Sequence, residues 1–280
     1  MSESVLRPGH VAVVTGAGSG IGAALATAFG AAGGRVVVAD IEVEALERVA
    51  ATLRAKDVEV LAVPTDVSDA GAVEHLARAT VERFGCVDVL CNNAGVSTFN
   101  ALSDQTRTDW RWVLGVNLWG VIHGVESFVP IMRAQGTPAH IVSTSSIAGL
   151  WSGVPFIGPY AVSKVGVVSL SETLRDELRA EGSAIGISVL IPSSVSTNVM
   201  ESERNRPGDF GSEQRTPTAE QVRLMIREGL FGPDGKSPDE IAAITLDAIR
   251  NDRFWIITHP SARPALEARF AAILADIPAA

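Results

Sequence analysis

The chain holds 280 residues, 46% of them hydrophobic, with a formal net charge of −9; that suits one large domain with a substantial core, and the lack of any Lys/Arg run or basic stripe excludes nucleic acid as an expected partner. Two cysteines, Cys86 and Cys91, make no disulfide framework, residues 1–9 lack the apolar core of a secretory signal, and five scattered histidines lack metal-ligand spacing. No stretch approaches ~20 apolar residues free of charge, so the expectation is a cytoplasmic protein with no membrane span and no metal.

Residues 10–14 read as a short apolar strand, followed by Thr15-Gly16-Ala17-Gly18-Ser19-Gly20-Ile21-Gly22 and an Ala-rich helical stretch over 23–32. A second apolar run, 35–39, ends at Asp40. Strand–turn–helix–strand is the setting in which a glycine-rich loop cradles a dinucleotide. Gly16 permits the tight turn, Gly20 lets the backbone approach the pyrophosphate at the helix N-terminus, and Gly22 lets the helix pack closely on the sheet. Asp40 stands where a carboxylate accepts hydrogen bonds from the adenosine ribose. It would repel the 2′-phosphate of NADP, and neither Ser19 nor Ile41 supplies a cation for that phosphate, so NAD is expected over NADP.

Further strands are predicted at 58–63, 87–91, 140–143, 185–190 and 254–258, alternating with Ala/Leu/Glu/Arg-rich helical stretches. The pattern predicts successive βαβ units: an α/β fold, one doubly wound seven-stranded parallel sheet with helices on both faces, spanning 1–280 as a single domain. Asp66-Val67 follows the third strand and Asn92-Asn93-Ala94-Gly95 the fourth. After the fifth comes the hydroxyl cluster Ser143-Thr144-Ser145-Ser146. Strand alternation puts Ser146 on the face of Thr144 and turns Ser145 away; the plain alternative is a solvated strand end bonded to local backbone. The chain's single tyrosine stands in Tyr160-Ala-Val-Ser-Lys164. Four residues make about one helical turn, so phenol and ammonium share a face. A fixed positive charge favours phenolate and lowers its pKa, which equips the pair to move a proton at an alcohol or carbonyl oxygen.

Together these motifs resemble the short-chain dehydrogenase/reductase family, over residues 8–200 and less distinctively to the C-terminus. The elements shared are Thr15, Gly16, Gly20 and Gly22 at the family's spacing, Asn92-Asn93-Ala94-Gly95, Asn117 in Gly115-Val116-Asn117-Leu118, Ser146 three residues before Gly149, and Tyr160 with Lys164. The resemblance implies a Rossmann fold with a nicotinamide cofactor held by Gly16, Ser19, Gly20, Ile21, Gly22, Asp40, Ile41, Asp66, Val67, Asn93, Ala94, Gly95, Tyr160, Lys164, Pro192, Val195 and Thr197. It also implies a catalytic set of Asn117, Ser146, Tyr160 and Lys164. In that set Tyr160 is the acid/base, and Lys164 holds the nicotinamide ribose and lowers the phenol's pKa. Ser146 hydrogen-bonds the substrate oxygen, and Asn117 bends its helix around a water that links Lys164 to solvent. The sequence departs from the family twice. Ser146 and Tyr160 are 14 residues apart where 13 is usual, which implies one extra residue in 150–159, and Pro192-Ser193 stands for Pro-Gly, so a side chain restricts the backbone at 193.

Three segments are expected to line a substrate pocket: 96–102, 150–159 and the polar stretch after Thr197. They offer Phe99, Trp151 and Phe156 beside Ser146 and Tyr160, a wall suited to a hydrophobic secondary alcohol or ketone. Packing of these aromatics against a lid or a second subunit is the open alternative. Residues 198–235 are long for a connection and are expected to form a substrate lid; Arg204, Arg206 or Arg215 within it would anchor an anionic substrate or be solvated. Segments 201–207, 237–241 and 254–260 resemble those of dehydrogenases that oxidise benzylic alcohols of lignin-type aryl compounds. The expected activity is NAD-dependent interconversion of a hydrophobic secondary alcohol, aryl alcohols included, and its ketone; the alternatives are an NADP-dependent carbonyl reductase and a non-catalytic NAD-binding regulator. The resemblance further implies a homodimer or homotetramer, built through helical stretches 110–132 and 161–179, the last strand and the C-terminal tail.

Overall fold

The computed structural model describes residues 5–151, 153–230, 232 and 234–278. Residues 1–4 of the polar N-terminal stretch, Ser152 in the segment before Tyr160, and residues 231 and 233 of the expected lid lie outside the described residues.

In chain order the elements are β1 (Val11–Thr15), α1 (Gly20–Ala31), β2 (Arg35–Asp40), α2 (Val43–Arg54), β3 (Val60–Pro64), α3 (Ala70–Phe84) and β4 (Val89–Asn92). Then follow α4 (Arg107–Leu114), α5 (Gly120–Gln135), β5 (Ala139–Thr144), α6 (Ile147–Trp151), α7 (Gly158–Ala180) and β6 (Ile185–Ile191). The chain closes with α8 (Pro217–Leu230), α9 (Pro238–Arg250), β7 (Trp255–Ile257) and α10 (Arg263–Ala275). The strands form one parallel sheet in the order β3-β2-β1-β4-β5-β6-β7.

Strands buried on both faces read as unbroken apolar runs, and the two cores show why. Val11, Val13 and Val37 pack under α3, α5 and α7 with Leu76, Phe128 and Leu174, while Ala12, Val14, Val36 and Val38 pack on the other face under α1, α2 and α9 with Phe29, Leu46 and Leu246. Every expected strand is present, with ends displaced by at most two residues. β3 starts at Val60 rather than Val58 because Val58 closes the turn after α2: its N–H donates to Leu53 O and its side chain covers Gly30.

The helical stretch expected over 110–132 is broken in character, not in continuity. Between α4 and α5 the turn widens to a π-helix at Gly115–Trp119. By length and composition the continuous run Arg107–Gln135 is apolar enough to cross a bilayer, but half of its apolar window is buried inside the protein. It is a core helix that covers the sheet.

β1 lies between β2 and β4, so the crossovers leave β1 and β4 toward opposite sheet faces. A crevice opens there beyond the strands' carboxyl ends, the position at which open α/β sheets bind ligands.

Candidate active site

One cleft runs along that carboxyl edge and encloses about 1320 Å³ of non-protein space, part of it open to solvent.

At one end is the loop after β1. Gly16 and Gly20 take left-handed φ values of 65° and 53°, which glycine alone adopts without strain. A Cβ at Gly22 would stand 2.1 Å from the Gly16 carbonyl oxygen, so loop and helix can close on each other only through glycine. α1 has neither a side-chain cap from Ser19 nor an acidic residue in its first turn, and its free amides face the cleft as an anion site. This donor set fits a pyrophosphate. Asp40 caps the loop from the side: Gly18 N–H donates to Oδ2 at 2.8 Å and Glu42 N–H to Oδ1 at 2.9 Å. Each carboxylate oxygen keeps lone-pair capacity for a ribose hydroxyl.

Thr15 ties this loop to the turn after β4. Its hydroxyl accepts from Asn93 N–H and Ala94 N–H at 2.9 and 3.2 Å, and Asn93 Nδ2 donates back to Thr15 O at 3.0 Å. Gly16, Ser19, Gly20, Ile21, Asp40, Ile41, Asp66, Val67, Asn93, Ala94, Gly95, Tyr160, Lys164, Pro192, Val195 and Thr197 line the one cleft. Gly22 stands behind the loop. Position 193 is not in the left-handed region, so the serine that replaces the family's glycine costs no backbone strain.

The remaining groups meet where β5, α7 and the π-turn converge. Lys164 is buried and donates from Nζ to Thr144 O at 2.8 Å; its Nζ lies 5.5 Å from the Tyr160 ring centre. Of the hydroxyl cluster, Ser145 donates to Lys164 O at 2.7 Å, whereas Ser146 faces Tyr160 and also accepts from Ala148 N–H at 3.2 Å. Asn117 lies at the centre of the π-turn, fully buried and outside the cleft lining. Its Oδ1 accepts from Val96 N–H at 2.8 Å, and its Nδ2 donates to Val96 O at 2.9 Å and Ser163 Oγ at 3.1 Å. A Cβ at Gly95 would stand 3.5 Å from both Asn117 Oδ1 and Lys164 Nζ, so glycine separates the two polar groups.

Charge in this corner differs from the expectation. Burial pushes the Tyr160 phenol up, and hydrogen bonding with Ser146 pulls it part of the way back. Burial also pushes the Lys164 ammonium down to about 8. In the ligand-free protein the phenol therefore lies above its ordinary value, with desolvation of the phenolate the larger influence.

The aromatic wall expected from Phe99, Trp151 and Phe156 does not face the cleft. Phe99 is 1% exposed and packs with Ala148, Ile157 and Tyr160 behind the site; Asn100 pairs with Ile157 as a β-bridge and draws it there. Trp151, the last residue of α6, packs against the core, and its carbonyl accepts a hydrogen bond from Arg269 of α10. Phe156 is half-buried in the turn before α7, at a left-handed φ of 67°. Beyond the residues already named, the apolar lining of the cleft is Val96, Trp112, Val116, Val199, Pro207 and Leu230.

The segment after Thr197 crosses the cleft as a strap, Asn198–Asn205, and continues past Pro207. Sequence reasoning did not assign its anchors. Arg204 Nη2 pairs with Glu42 Oε1 at 2.7 Å and Asn205 Nδ2 donates to the same oxygen at 2.9 Å. Ser97 N–H donates to Ser202 Oγ at 2.9 Å. Arg206 Nη2 stands 2.7 Å from Asp109 Oδ1, both side chains nearly inaccessible, with its guanidinium 5.2 Å from the Trp112 ring. Arg215 pairs with Glu213 and Glu220. All three arginines offered as substrate anchors are thus engaged by the protein's own carboxylates.

Residues 10–208 match the family model described as short chain dehydrogenase. Over 269 residues the chain is 34% identical to a C alpha-dehydrogenase of Sphingobium sp., covering 96% of this chain and 86% of that protein. It is 34% identical over 263 residues to a 1-deoxy-11-beta-hydroxypentalenate dehydrogenase of Streptomyces exfoliatus, covering 93% and 87%. A crystal structure of a short chain dehydrogenase/reductase from Burkholderia phymatum in complex with NAD superposes with a TM-score of 0.92 at 42% identity, covering 98% of this chain and 97% of that one. The chain belongs to the short-chain dehydrogenase/reductase family and is an oxidoreductase of that class.

Proposed function

We propose that the protein interconverts a hydrophobic secondary alcohol and its ketone with NAD, aryl carbinols being the substrates to test first. The observation that carries this reading is the convergence of Ser146, Tyr160 and Lys164 on the cleft that also receives the Gly16–Gly22 loop and Asp40. The dehydrogenase names of the two relatives and the NAD in the Burkholderia structure support it.

A bound nicotinamide would supply hydride acceptance from the carbinol carbon, and hydride return in the opposite direction. The chain's own groups manage the proton. Ser146 donates a hydrogen bond to the substrate oxygen and holds it against Tyr160. Tyr160 takes the hydroxyl proton as the carbonyl forms and returns it on reduction. Lys164, held by Thr144 O, steadies the phenolate and would hold the nicotinamide ribose of a bound cofactor. Asn117 fixes Val96 and the π-turn behind Lys164 and keeps a route for the proton to solvent. Val96, Trp112, Val116, Val199 and Leu230 exclude water around the carbinol. The strap acts as the lid of a single domain.

For the cofactor, Asp40 would offer a carboxylate to the adenosine ribose, and Arg204, a cation lining the same cleft, is paired with Glu42. That favours NAD over NADP. We place the protein in the cytosol, consistent with Cys86 and Cys91 as free thiols. Exposed Trp119, Val162 and Val165 near the π-turn and on α7, with Trp255, Ile257, Phe270 and Leu274 on β7 and α10, support a homodimer or homotetramer; sedimentation as a stable monomer at micromolar concentration would refute it.

The test is appearance of reduced cofactor with a panel of 1-phenylethanol-type carbinols, aliphatic alcohols, sterols and sugars, in parallel with NAD and NADP. Turnover of aryl or other apolar secondary alcohols with NAD is expected. Preference for NADP overturns the Asp40 argument, and turnover confined to sugars overturns the apolar-cleft argument.

A further inference from the structure

We infer that His259 is a positioning residue for the nicotinamide end of the site, acting through the turn Pro192-Ser193-Ser194. The inference rests on the dinucleotide reading above and goes beyond it, since His259 lies outside the cleft and no part of that reading uses it.

Register puts it there. β7 runs parallel to β6 with Ile191 beside Ile257, and Thr258 N–H donates to Ile191 O at 3.3 Å. As both chains leave the sheet, residue 259 arrives opposite the turn that follows β6. His259 is 4% exposed, so each ring nitrogen needs a partner within the protein. Nε2 stands 3.1 Å from Ser194 O. A carbonyl only accepts, so Nε2 carries the proton and Nδ1 is the acceptor. Nδ1 takes the Thr258 hydroxyl at 2.7 Å and faces Ser193 N–H at 3.4 Å. One neutral imidazole thus holds the N–H of Ser193 and the carbonyl of Ser194, which sets the orientation of the 192–193 and 194–195 peptides that flank the turn.

The turn's other flank is fixed as well. Ile147 N–H donates to Pro192 O at 2.8 Å, immediately after Ser146, and Lys236 N–H donates to Ser194 O at 2.9 Å. Pro192 and Ser193 line the cleft on the wall shared with Ser146 and Tyr160. A ring that sets this turn therefore sets the surface on which the nicotinamide half of a dinucleotide would lie, and its distance from Ser146. The adenosine half is held more remotely, by the Gly16–Gly22 loop and Asp40.

The experiment compares NADH with ADP-ribose, which keeps the adenosine half and lacks the nicotinamide. Their dissociation constants are measured for the wild type, His259→Phe and His259→Gln, together with melting temperatures. His259→Phe keeps the ring volume and removes both hydrogen bonds. It should weaken NADH by roughly 3- to 10-fold, the value of one or two net hydrogen bonds, leave ADP-ribose unchanged, and lower kcat more than it changes KM for the alcohol. His259→Gln, whose amide can still reach Ser194 O, should recover part of the NADH loss; it also carries the test if the phenylalanine variant does not fold. Equal weakening of both ligands, or of neither, overturns the inference while leaving the site reading intact. A wild type that binds NADH no more tightly than ADP-ribose overturns the site reading and the inference with it.

Discussion

Lys164 is the residue at which function and stability should oppose each other most clearly. Its ammonium is 3% exposed, its hydrogen-bond partner is the Thr144 carbonyl at 2.8 Å, and burial lowers it from 10.5 to about 8. At about 1.36 kcal/mol per pH unit, holding the charged form in the folded protein at pH 7 costs about 3 kcal/mol. Lys164→Met keeps the length and apolar stem and removes the charge, but it leaves Thr144 O without its donor, a loss of about 1 kcal/mol. The net expectation is a ligand-free protein about 2 kcal/mol more stable at pH 7. For a chain of 280 residues the unfolding entropy is about 0.6 kcal/mol/K, which converts this to a melting temperature about 3 °C higher. Between about 8 and 10.5 the unfolded wild type binds a proton that the folded one does not, so this lysine's contribution to stability rises with pH through that window. The advantage of the variant is therefore full below pH 8 and gone above about pH 10.5. Thermal unfolding of both proteins without cofactor at pH 7 and pH 10 reads it directly, and titrations common to both cancel. A variant less stable than wild type at pH 7, or a difference that does not shrink by pH 10, would refute the burial argument. Loss of turnover in the same variant is expected from the proposed mechanism.

Asp40→Asn keeps an acceptor for Gly18 N–H and removes the negative charge; it should narrow the NAD:NADP ratio of kcat/KM by roughly 10- to 100-fold, and an unchanged ratio would show that Asp40 does not face the 2′ position. Gly22→Ala places a methyl 2.1 Å from the Gly16 carbonyl oxygen, so dinucleotide affinity should fall sharply and stability by about 1–3 kcal/mol; calorimetric titration with ADP-ribose checks this, and wild-type affinity would mean the loop is not as closely packed as it stands. Arg206→Met leaves the buried Asp109 carboxylate without its cation, at a cost of about 3 kcal/mol or more. Limited proteolysis should then cut within residues 198–216 faster than in the wild type, and an unchanged cleavage rate would show that this ion pair does not fasten the strap.

The sheet was legible because buried parallel strands are short Val/Ile/Ala runs, and burial alone writes that pattern. The glycine loop, Asp40 and the Tyr160–Lys164 pair were legible because each role demands one residue type at one spacing. What escaped depended on long-range partners. Nothing near Glu42 marks it as the anchor of Arg204, 162 residues away. Arg206 reads as a solvated charge until α4 brings Asp109 to it. Phe99 reads as a pocket wall until the bridge from Asn100 to Ile157 draws its segment inward. The direction of the Tyr160 shift escaped for a related reason: spacing shows which charge is near, whereas desolvation depends on everything packed around the pair. Thr258-His259-Pro260 was visible only as a resemblance in the tail, and the β6–β7 register was needed to give the histidine a partner.

In the proposed reaction Tyr160 moves the substrate proton beside a bound nicotinamide. Turnover of an active secondary alcohol and the NADH dissociation constant should be measured together for wild type and Tyr160→Phe. NADH should bind within a few-fold of wild type while turnover falls by roughly 10²- to 10⁴-fold, the usual contribution of a positioned acid/base. Turnover retained in Tyr160→Phe with NADH bound would contradict that role.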